Sequence, residues 1–244
     1  MPNDGIAVET SSACGWLPGR ASCYIFLEIS NVTTDDSARI YEDPDGLSRC
    51  WWSQSAPEFI TYHDNEWGYP VADDIRLFEK MSLESFQSGL SWRTILNKRE
   101  SFRDAFMGFD FHRVAEYGSK DIERLLGNAG IVRHRGKIEA TINNARVTEE
   151  IVARYGSLAA YVWQFEPDPS ERPLRMTWEE LSKLSKTRAS TALSKDLKRH
   201  GWKFFGPTTA YAFMQAMGLV NDHQDECYCR VRAEKARAAF VRPG

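Results

Sequence analysis

Two pairs of cysteine and histidine residues lie at opposite ends of one long segment of the sequence. Cys50 and His63 are separated by twelve residues, whereas His223 and Cys227 are separated by three. Two cysteines and two histidines form a closed tetrahedral zinc site, which leaves no position open for a substrate. A structural zinc clasp, one ion held by these four residues, would join the two ends of a domain. The spacing alone leaves a second interpretation open, in which the four are unrelated core residues.

Glu84 is a carboxylate in an otherwise apolar stretch of sequence, between Leu83 and Phe86. Unpaired burial of a carboxylate is costly, so Glu84 must be exposed, paired or functional. A carboxylate inside an aromatic cage suits a planar cationic ligand, because the ring faces and the negative charge both attract a cation. The alternative is a glutamate on the solvent face of a helix, with the aromatic residues in the core. The aromatic residues that could surround Glu84 are Tyr62, Trp52, Trp67 and Trp92.

A glycine-containing hairpin near the C-terminal end could bind a phosphate group. Residues 202–210 predict the end of one helix, a tight hairpin and a second helix that begins at Pro207. The backbone N–H groups of a hairpin and of a helix N-terminus can face one phosphate, so Lys203, Gly206 and Thr208 are candidate DNA contacts. Residues 133–137 form a second cationic cluster. An ordinary helical corner with a solvated basic face is the alternative.

The elements that must position these residues are helices. Asp73 and Asp74 begin a predicted helix that runs through Ser88, and Ser91 is the predicted N-cap of the next helix, Trp92 to Phe106. Strand patterns are nearly absent, so the sequence predicts an all-α fold. The other predicted helices cover residues 111–117, 119–126, 134–155, 157–165, 190–199 and 207–218, with a short helix after a capping box at 177–180.

Charge is distributed unevenly along the 244 residues, whose net charge is −3. Residues 1–48 hold eight acidic and two basic side chains, a net charge of −6, and the remainder carries +3. A mildly basic body can bind phosphates, because the local field decides. Residues 1–48 lack periodicity and predict a poorly ordered acidic extension, so a chain that starts at Leu47 should fold. Residues 49–229 are the predicted domain, and 230–244 a C-terminal tail.

The sequence contains no pattern typical of membrane or secreted proteins. Its longest apolar run is too short to cross a bilayer, and the N-terminus lacks the pattern of a signal peptide. Five cysteines, an odd number, do not indicate a disulfide framework. We therefore expect a protein of the reducing cytoplasm, with no membrane partner. We also expect it to be a monomer.

Six segments of the chain resemble the 3-methyladenine DNA glycosylase I family. The resemblance covers about residues 45 to 229 and implies a divergent helix–hairpin–helix DNA glycosylase fold with a zinc clasp. By position, the four zinc ligands of the family fall on the two cysteine–histidine pairs described above. The segments are Arg49-Cys50, Tyr62–Gly68, Leu83-Glu84, Gly89–Trp92, Gly130–Ile138 and Gly218–His223.

The resemblance also implies roles for the aromatic cage. Glu84 and Tyr62 lie where the family hydrogen-bonds the alkylated base, and Trp92 lies where a ring stacks on that base. Trp52 and Trp67 correspond to further pocket walls. Glu84 is therefore the predicted catalytic residue.

Two further residues match the family, and two features depart from it. Gly89 and Leu90 correspond to the loop that presses into the duplex at the emptied position. Phe59 stands where some relatives carry a tyrosine, so one polar contact is expected to be missing. Residues 1–48 have no counterpart in the family.

Methylation at N3 makes adenine positively charged and weakens its glycosidic bond. The resemblance therefore implies a monofunctional glycosylase that flips the alkylated nucleotide out of double-stranded DNA and lets water replace the base. Asp222, next to a predicted zinc ligand, is not predicted as a general base, and no lysine is placed by a motif to form a Schiff base. The alternative is a zinc-braced, non-catalytic module that binds modified bases in DNA or RNA. A metallohydrolase is disfavoured because four protein ligands close the zinc.

Overall fold

Twelve α-helices and one β-hairpin make up residues 39–244, the part of the chain that the structure, a computed structural model, describes. Strands β1 (Ile40–Glu42) and β2 (Ser48–Cys50) pair antiparallel. The helices are α1 (Pro57–Asn65), α2 (Asp74–Gln87), α3 (Trp92–Asn97), α4 (Arg99–Ala105), α5 (Phe111–Ala115), α6 (Ser119–Gly127), α7 (Arg135–Tyr155), α8 (Leu158–Trp163), α9 (Trp178–Ser182), α10 (Arg188–Arg199), α11 (Pro207–Ala216) and α12 (Tyr228–Ala239). The predicted all-α fold is confirmed, with the short hairpin as its one addition in these residues. None of these helices is long and apolar enough to cross a membrane.

Helix α2 lies in the core. Asp73 caps its N-terminus, since its carboxylate accepts a hydrogen bond from the backbone N–H of Arg76 at 2.8 Å. All ten residues from Leu77 to Phe86 are buried, and α2 packs against α3, α7, α8 and α11. A helix that is buried all round can carry charged residues only where they are paired. Lys80 and Glu84 both lie in this buried stretch.

Lys137 on α7 holds the C-terminal end of α2. Its Nζ donates to the carbonyl oxygens of Phe86 at 2.8 Å and Ser88 at 2.6 Å. A cation at the C-terminus of a helix also interacts favourably with the helix dipole. Burial lowers the pKa of Lys137. The prediction of a cationic cluster over residues 133–137 is therefore wrong for Lys137, whose ammonium group is not available to a phosphate.

Helices α10 and α11 are joined by the predicted hairpin. Thr187 caps α10 and exchanges hydrogen bonds with Ser190, so the helix begins two residues before the predicted start. The amide of Asn144 on α7 fixes the hairpin, because its Oδ1 accepts from Lys203 N at 2.8 Å and its Nδ2 donates to Lys203 O at 3.0 Å. The hairpin backbone is thus held in one conformation by a helix distant in sequence.

The segment predicted as one helix from Trp92 to Phe106 is two helices, α3 and α4. Ser91 caps α3 as predicted, and its Oγ accepts from Thr94 N at 3.2 Å. The helical conformation is interrupted at Lys98, with φ −97° and ψ 0°. Lys98 Nζ donates to the carbonyl oxygen of Ala129 at 3.0 Å. This long-range contact has no signature in the local sequence.

Residues 39–48 belong to the fold. The side chain of Arg49 is buried beside β2, where it forms ion pairs with Asp45 at 2.8 Å, Asp64 at 2.9 Å and Asp43 at 3.2 Å. The prediction of a poorly ordered extension up to residue 48 is therefore wrong for its last ten residues. Residues 1–38, with Cys14, lie outside the described residues.

Helix α12 runs through the boundary predicted at residue 230. Near its end, Arg237 and Arg242 form ion pairs with Glu166 at 2.6 and 2.9 Å. The ring of Phe240 lies 4.5 Å from that of Trp163, measured between centroids. The predicted C-terminal tail is thus helical to Ala239 and packs on the loop after α8.

A chain that starts at Leu47 should be less stable than one that starts at Arg39. The shorter chain loses β1 and two of the three carboxylates that pair with the buried Arg49. We expect its melting temperature to be lower by on the order of 5 °C, measured by circular dichroism. Equal melting temperatures of the two chains would show that the β-hairpin formed by β1 and β2 does not contribute to stability.

Candidate functional site: an aromatic pocket beside a cysteine–histidine cluster

The two cysteine–histidine pairs predicted as metal ligands meet in the structure. Cys50 ends β2, His63 lies on α1, and His223 and Cys227 lie between α11 and α12. Their four ligand atoms all lie within 4.8 Å of one another, and all four residues are buried. Cys227 Sγ is 3.5 Å from His63 Nε2 and 3.6 Å from His223 Nδ1, and Cys50 Sγ is 3.9 Å from His223 Nδ1. They form one cluster and are not scattered core residues.

The dimensions of the cysteine–histidine cluster fit a tetrahedral metal site. For Zn–S and Zn–N bonds of about 2.3 and 2.0 Å, sulfur and nitrogen ligands of a tetrahedral site lie about 3.5 Å apart. The outward ring nitrogens have partners as well: His63 Nδ1 lies 2.7 Å from Asp64 Oδ1, and His223 Nε2 lies 3.0 Å from the carbonyl oxygen of Trp67. Such partners orient metal-bound histidines. The cluster could therefore hold one metal ion.

Two glycines allow the ends of the domain to approach each other at the cluster. Gly68 has a φ of +86°, and a Cβ there would lie 2.9 Å from His223 Nε2. Gly218 has a φ of +71°, and a Cβ there would lie 2.4 Å from the backbone nitrogen of Pro70. A positive φ and so close an approach favour glycine over any other residue.

Trp52 and Trp67 pack on the cluster in the structure. The ring centroid of Trp52 lies 5.2 Å from those of His63 and Trp67, and that of Trp67 lies 4.8 Å from that of His223. A small cavity lies beside Tyr62, Lys80 and Trp92, and neither Trp52 nor Trp67 lines it. The implied role of both as pocket walls stays a prediction, and Trp52 also packs edge-on against Tyr62, with ring centroids 6.4 Å apart. Phe59 also packs edge-on against Trp52, away from that cavity.

Glu84, Tyr62 and Trp92 meet at a second buried site, which together with Lys80 we call the aromatic pocket. Neighbouring residues on a helix point in different directions, so Tyr62 faces the pocket while His63 faces the cluster. Lys80 and Glu84 are one turn apart on α2 and share a face. The rings of Tyr62 and Trp92 lie 5.5 Å apart, and all four residues are 5% exposed or less.

The ammonium group of Lys80 lies in the middle of the aromatic pocket. Its Nζ is 2.7 Å from Glu84 Oε1, donates to Tyr62 Oη at 2.7 Å, and lies 3.5 Å from the ring centroid of Trp92. Lys80 therefore makes an ion pair, a hydrogen bond and a cation–π contact at once. Burial lowers the pKa of Lys80, and the charge of Glu84 opposes that change. Burial, and then the charge of Glu84, raise the pKa of Tyr62, which keeps the phenol neutral.

No role for Lys80 follows from the sequence motifs. Its spacing of four residues from Glu84 is the signal that could have identified it, because this spacing places both side chains on one helix face. Such pairs are common on exposed helices, where they contribute little. The burial of this pair depends on the packing of α2 and is visible only in the structure.

A cavity of about 20 Å³ adjoins the aromatic pocket. Lys80 lines this cavity, whereas Glu84 does not. The volume is far below the roughly 300–1,000 Å³ typical of small-molecule sites. Two ion pairs also line the cavity, Arg99 with Glu66 at 2.6 Å and Arg103 with Glu79 at 2.8 Å.

Gly89 and Leu90 form the turn that follows α2. Gly89 is exposed with a φ of +85°, and Leu90 is half-buried against the core. Leu90 N donates to Gln87 O at 2.7 Å, which closes the turn. The turn lies at the surface, at the end of the helix that carries Lys80 and Glu84.

The hairpin between α10 and α11 exposes backbone groups and one lysine side chain to solvent. Lys203 and Gly206 are exposed, and Thr208 is half-buried in the first turn of α11. No side chain caps α11, so the first N–H groups of this helix have no capping partner. Ser194 Oγ donates to Phe205 O at 2.7 Å and holds the hairpin against α10.

Asp222 supports the packing of α11. Its carboxylate accepts hydrogen bonds from Tyr211 Oη at 2.5 Å and Gln215 Nε2 at 2.9 Å, and it pairs with Arg172. A buried carboxylate with three partners is not free to activate a water molecule. That Asp222 is not a general base stays a prediction.

Comparison with known proteins gives a family model and close relatives. Residues 52–231 match the model of the methyladenine glycosylase family. DNA-3-methyladenine glycosylase 1 of Escherichia coli K12 is 46% identical over 183 residues, which are 75% of this chain and 97% of that protein. DNA-3-methyladenine glycosylase of Haemophilus influenzae is 42% identical over 184 residues, 75% of this chain and 98% of that protein.

Solved structures agree with these matches. A crystal structure of 3-methyladenine DNA glycosylase I matches with a TM-score of 0.66 and 47% identity, over 74% of this chain and 98% of that chain. The Staphylococcus aureus 3-methyladenine DNA glycosylase I, from work on 3-methyladenine recognition, matches with a TM-score of 0.66 and 38% identity, over 72% of this chain and 93% of that one. Since the family model covers most of the chain and the relatives match along nearly their whole length, this chain belongs to the methyladenine glycosylase family.

Proposed function

We propose that the protein removes 3-methyladenine from alkylated double-stranded DNA, as a DNA glycosylase of base-excision repair. The observation that carries this proposal is the buried carboxylate of Glu84, whose partner cation, Lys80 Nζ, also contacts Tyr62 Oη and the ring of Trp92, in a member of this family. Adenine methylated at N3 is planar and positively charged while it is attached to DNA. A pocket that already stabilises an ammonium group against one carboxylate and one indole has the charge and shape for such a base.

The chemistry requires little proton transfer from the protein. When the bond between C1′ and N9 breaks, both of its electrons pass to the base, which leaves as a neutral molecule. The oxygen of water adds to C1′, and a proton passes to solvent. The protein has to flip the nucleotide, stabilise the cation and orient the sugar. Glu84 would hydrogen-bond the exocyclic amino edge, Tyr62 would supply a second polar contact, and Trp92 would stack on the ring.

Cleavage without a covalent intermediate is the second part of the proposal. Lys80 is the lysine that the structure adds to the pocket, where its Nζ is paired with Glu84 against the face of Trp92. That position is the one we assign to the base, and not to the sugar carbon. We therefore propose a monofunctional glycosylase that leaves the DNA strand intact.

A structural zinc ion at the cysteine–histidine cluster is the third part. A Cys₂His₂ donor set and ligand spacings of 3.5–3.9 Å suit zinc, and both histidines have partners on their outward nitrogens. When bound, the ion would supply a fixed link between the two ends of the domain. Cys50, His63, His223 and Cys227 would close its coordination, so it would take no part in the reaction.

The DNA-facing surface would combine the turn after α2 with the hairpin. Leu90, next to Gly89, would enter the space that the flipped nucleotide leaves. Gly206, Thr208 and Lys203 would bind a backbone phosphate through N–H groups and one positive charge. Such a protein would work as a monomer in the reducing cytoplasm, next to the chromosome.

The charge of Glu84 should matter for the methylated base alone. Glu84→Gln keeps the size of the side chain, so we expect it to slow excision of 3-methyladenine about ten- to hundredfold, the worth of one hydrogen bond to a charged group. Binding to undamaged duplex should not change, because it depends on phosphates. Single-turnover excision and DNA binding are the measurements, with the exposed Glu139→Gln as control. An unchanged excision rate in Glu84→Gln would remove Glu84 from the mechanism.

The stacking role of Trp92 should appear in the affinity for the free base. Trp92→Ala should weaken binding of 3-methyladenine by roughly 1–3 kcal/mol, the usual worth of one aromatic–base stack. Trp178, which packs edge-on against Trp51, is the matched control for the loss of an indole. Calorimetric titration distinguishes them, and equal affinities of both variants would contradict the assignment.

Zinc should be present at one ion per chain. Cys227→Ala should lose the ion, and its free energy of unfolding should be lower by on the order of 3–5 kcal/mol. Cys229→Ala is the matched control, because its sulfur is buried 3.8 Å from His63 Nδ1 but lies outside the set of four ligands. Elemental analysis and thermal unfolding give the result, and protein purified without chelator that contains no zinc would refute this assignment.

A phosphate contact by Lys203 should be independent of damage. Lys203→Ala should weaken binding to damaged and undamaged duplexes alike and reduce the salt slope of binding by about one. Lys235→Ala, an exposed lysine on α12, serves as the control. Affinity lost for damaged DNA alone would place Lys203 at the base pocket instead.

A further inference from the structure

We propose that Lys80 is a resident cation of the base site: its ammonium group occupies the position of the methylated base in the free protein, withdraws when the base enters, and returns to expel the product. The inference rests on the proposed removal of 3-methyladenine. It assigns Lys80 a role in product release.

The first support is that Lys80 already makes the contacts assigned to the base. Its Nζ forms an ion pair with Glu84 Oε1 at 2.7 Å and donates a hydrogen bond to Tyr62 Oη at 2.7 Å. It also lies 3.5 Å from the ring centroid of Trp92. These are the charge partner, the polar contact and the stacking surface of the proposed base complex. A base cannot form these contacts while Lys80 holds them.

The second support is steric. The space beside Lys80 is about 20 Å³, and Lys80 lines it whereas Glu84 does not. A purine ring cannot enter a space of that size. The four-carbon stem of lysine is flexible, so Lys80 can leave the pocket without movement of α2. Glu66 and Glu79 line the same cavity, and their carboxylates, which pair with Arg99 and Arg103, would then be shared with its ammonium group.

The third support is electrostatic. A buried carboxylate without a partner is strongly destabilising, so Glu84 needs a cation in the absence of DNA. Lys80 supplies that cation from the same helix face, one turn away. Entry of the methylated base then replaces one cation with another, and Glu84 stays paired throughout the exchange.

Loss of charge during the reaction gives the exchange a direction. Displacement of Lys80 weakens the binding of every base by the same factor, since only the state without Lys80 in the pocket can bind. A flipped nucleotide recovers this loss through its DNA contacts and through the attraction of its cationic base to Glu84. The released base is neutral and has left the DNA, so it has neither. Lys80 therefore returns against the product more readily than against the substrate.

Removal of the resident cation should tighten binding of the product. If Lys80 occupies the pocket at least nine-tenths of the time, Lys80→Met should bind free 3-methyladenine about tenfold more tightly or better. Added 3-methyladenine should inhibit excision by this variant at correspondingly lower concentrations. Lys80→Arg keeps a cation and should show no tightening, and neither should Lys235→Met, the control for a lost surface charge. Unchanged affinity in a folded Lys80→Met would overturn the inference.

Lys80→Met leaves Glu84 without its partner, so a second measurement uses the unaltered protein. Acylation of lysines, followed residue by residue by mass spectrometry, should find Lys80 protected in the free protein. Saturation with 3-methyladenine should make Lys80 reactive, although a bound ligand ordinarily protects the residues that it covers. Equal protection with and without the base would overturn the inference, as would borohydride trapping of Lys80 on methylated DNA, which would identify a nucleophile.

The two proposals can fail separately. If the unaltered protein neither binds 3-methyladenine nor excises it, the proposed function fails and the inference fails with it. If the unaltered protein does both, but Lys80→Met binds the base no more tightly and Lys80 stays protected, only the inference fails.

Discussion

The need of a buried carboxylate for a cation is the constraint on which the rest of this structure depends. Glu84 lies on a helix whose ten central residues are all buried, and it is 4% exposed. Such a group is stable only when it is paired and hydrogen-bonded. Lys80 meets that need from within the chain, and we propose that a methylated base meets it in the complex with DNA. On this proposal, recognition of the base and stability of the free pocket are two consequences of one charge.

The cysteine–histidine cluster determines where one side of the pocket lies. Tyr62 and His63 are neighbours on α1, so the helix that contributes a ring to the pocket also contributes a ligand atom to the cluster. Trp52 contacts both residues, at 6.4 Å from the ring of Tyr62 and 5.2 Å from that of His63. Gly218 permits the close approach of the C-terminal segment that completes the cluster. Loss of the cluster would therefore disturb the pocket through α1, although no ligand atom of the cluster lies in it.

Local sequence rules and family motifs predicted the features that a short stretch of sequence specifies, such as helix caps and motif residues. The four members of the cluster come together as expected, Glu84 meets Tyr62 and Trp92, and Ser91 caps α3. Long-range packing decided the rest. The sequence assigned no role to Lys80 and placed Lys137 in a cationic cluster, because a sequence does not show that α2 is buried or that its carbonyl groups need a donor. The acidic composition led to the wrong prediction that residues 43 and 45 are poorly ordered, whereas their carboxylates pair with the buried Arg49. The sequence of residues 230–244, predicted as a tail, likewise does not show that Arg237 and Arg242 pair with Glu166.

Release of free base from methylated DNA tests the central claim most directly. Purified protein is incubated with duplex DNA that carries N3-methylated adenine, and the soluble products are identified by chromatography and mass spectrometry. The account predicts that 3-methyladenine appears as a free base while the DNA strand stays continuous until alkali cleaves it at the abasic site. Tight binding of the methylated duplex with no free base in solution would contradict it and would identify a module that binds modified bases without removing them.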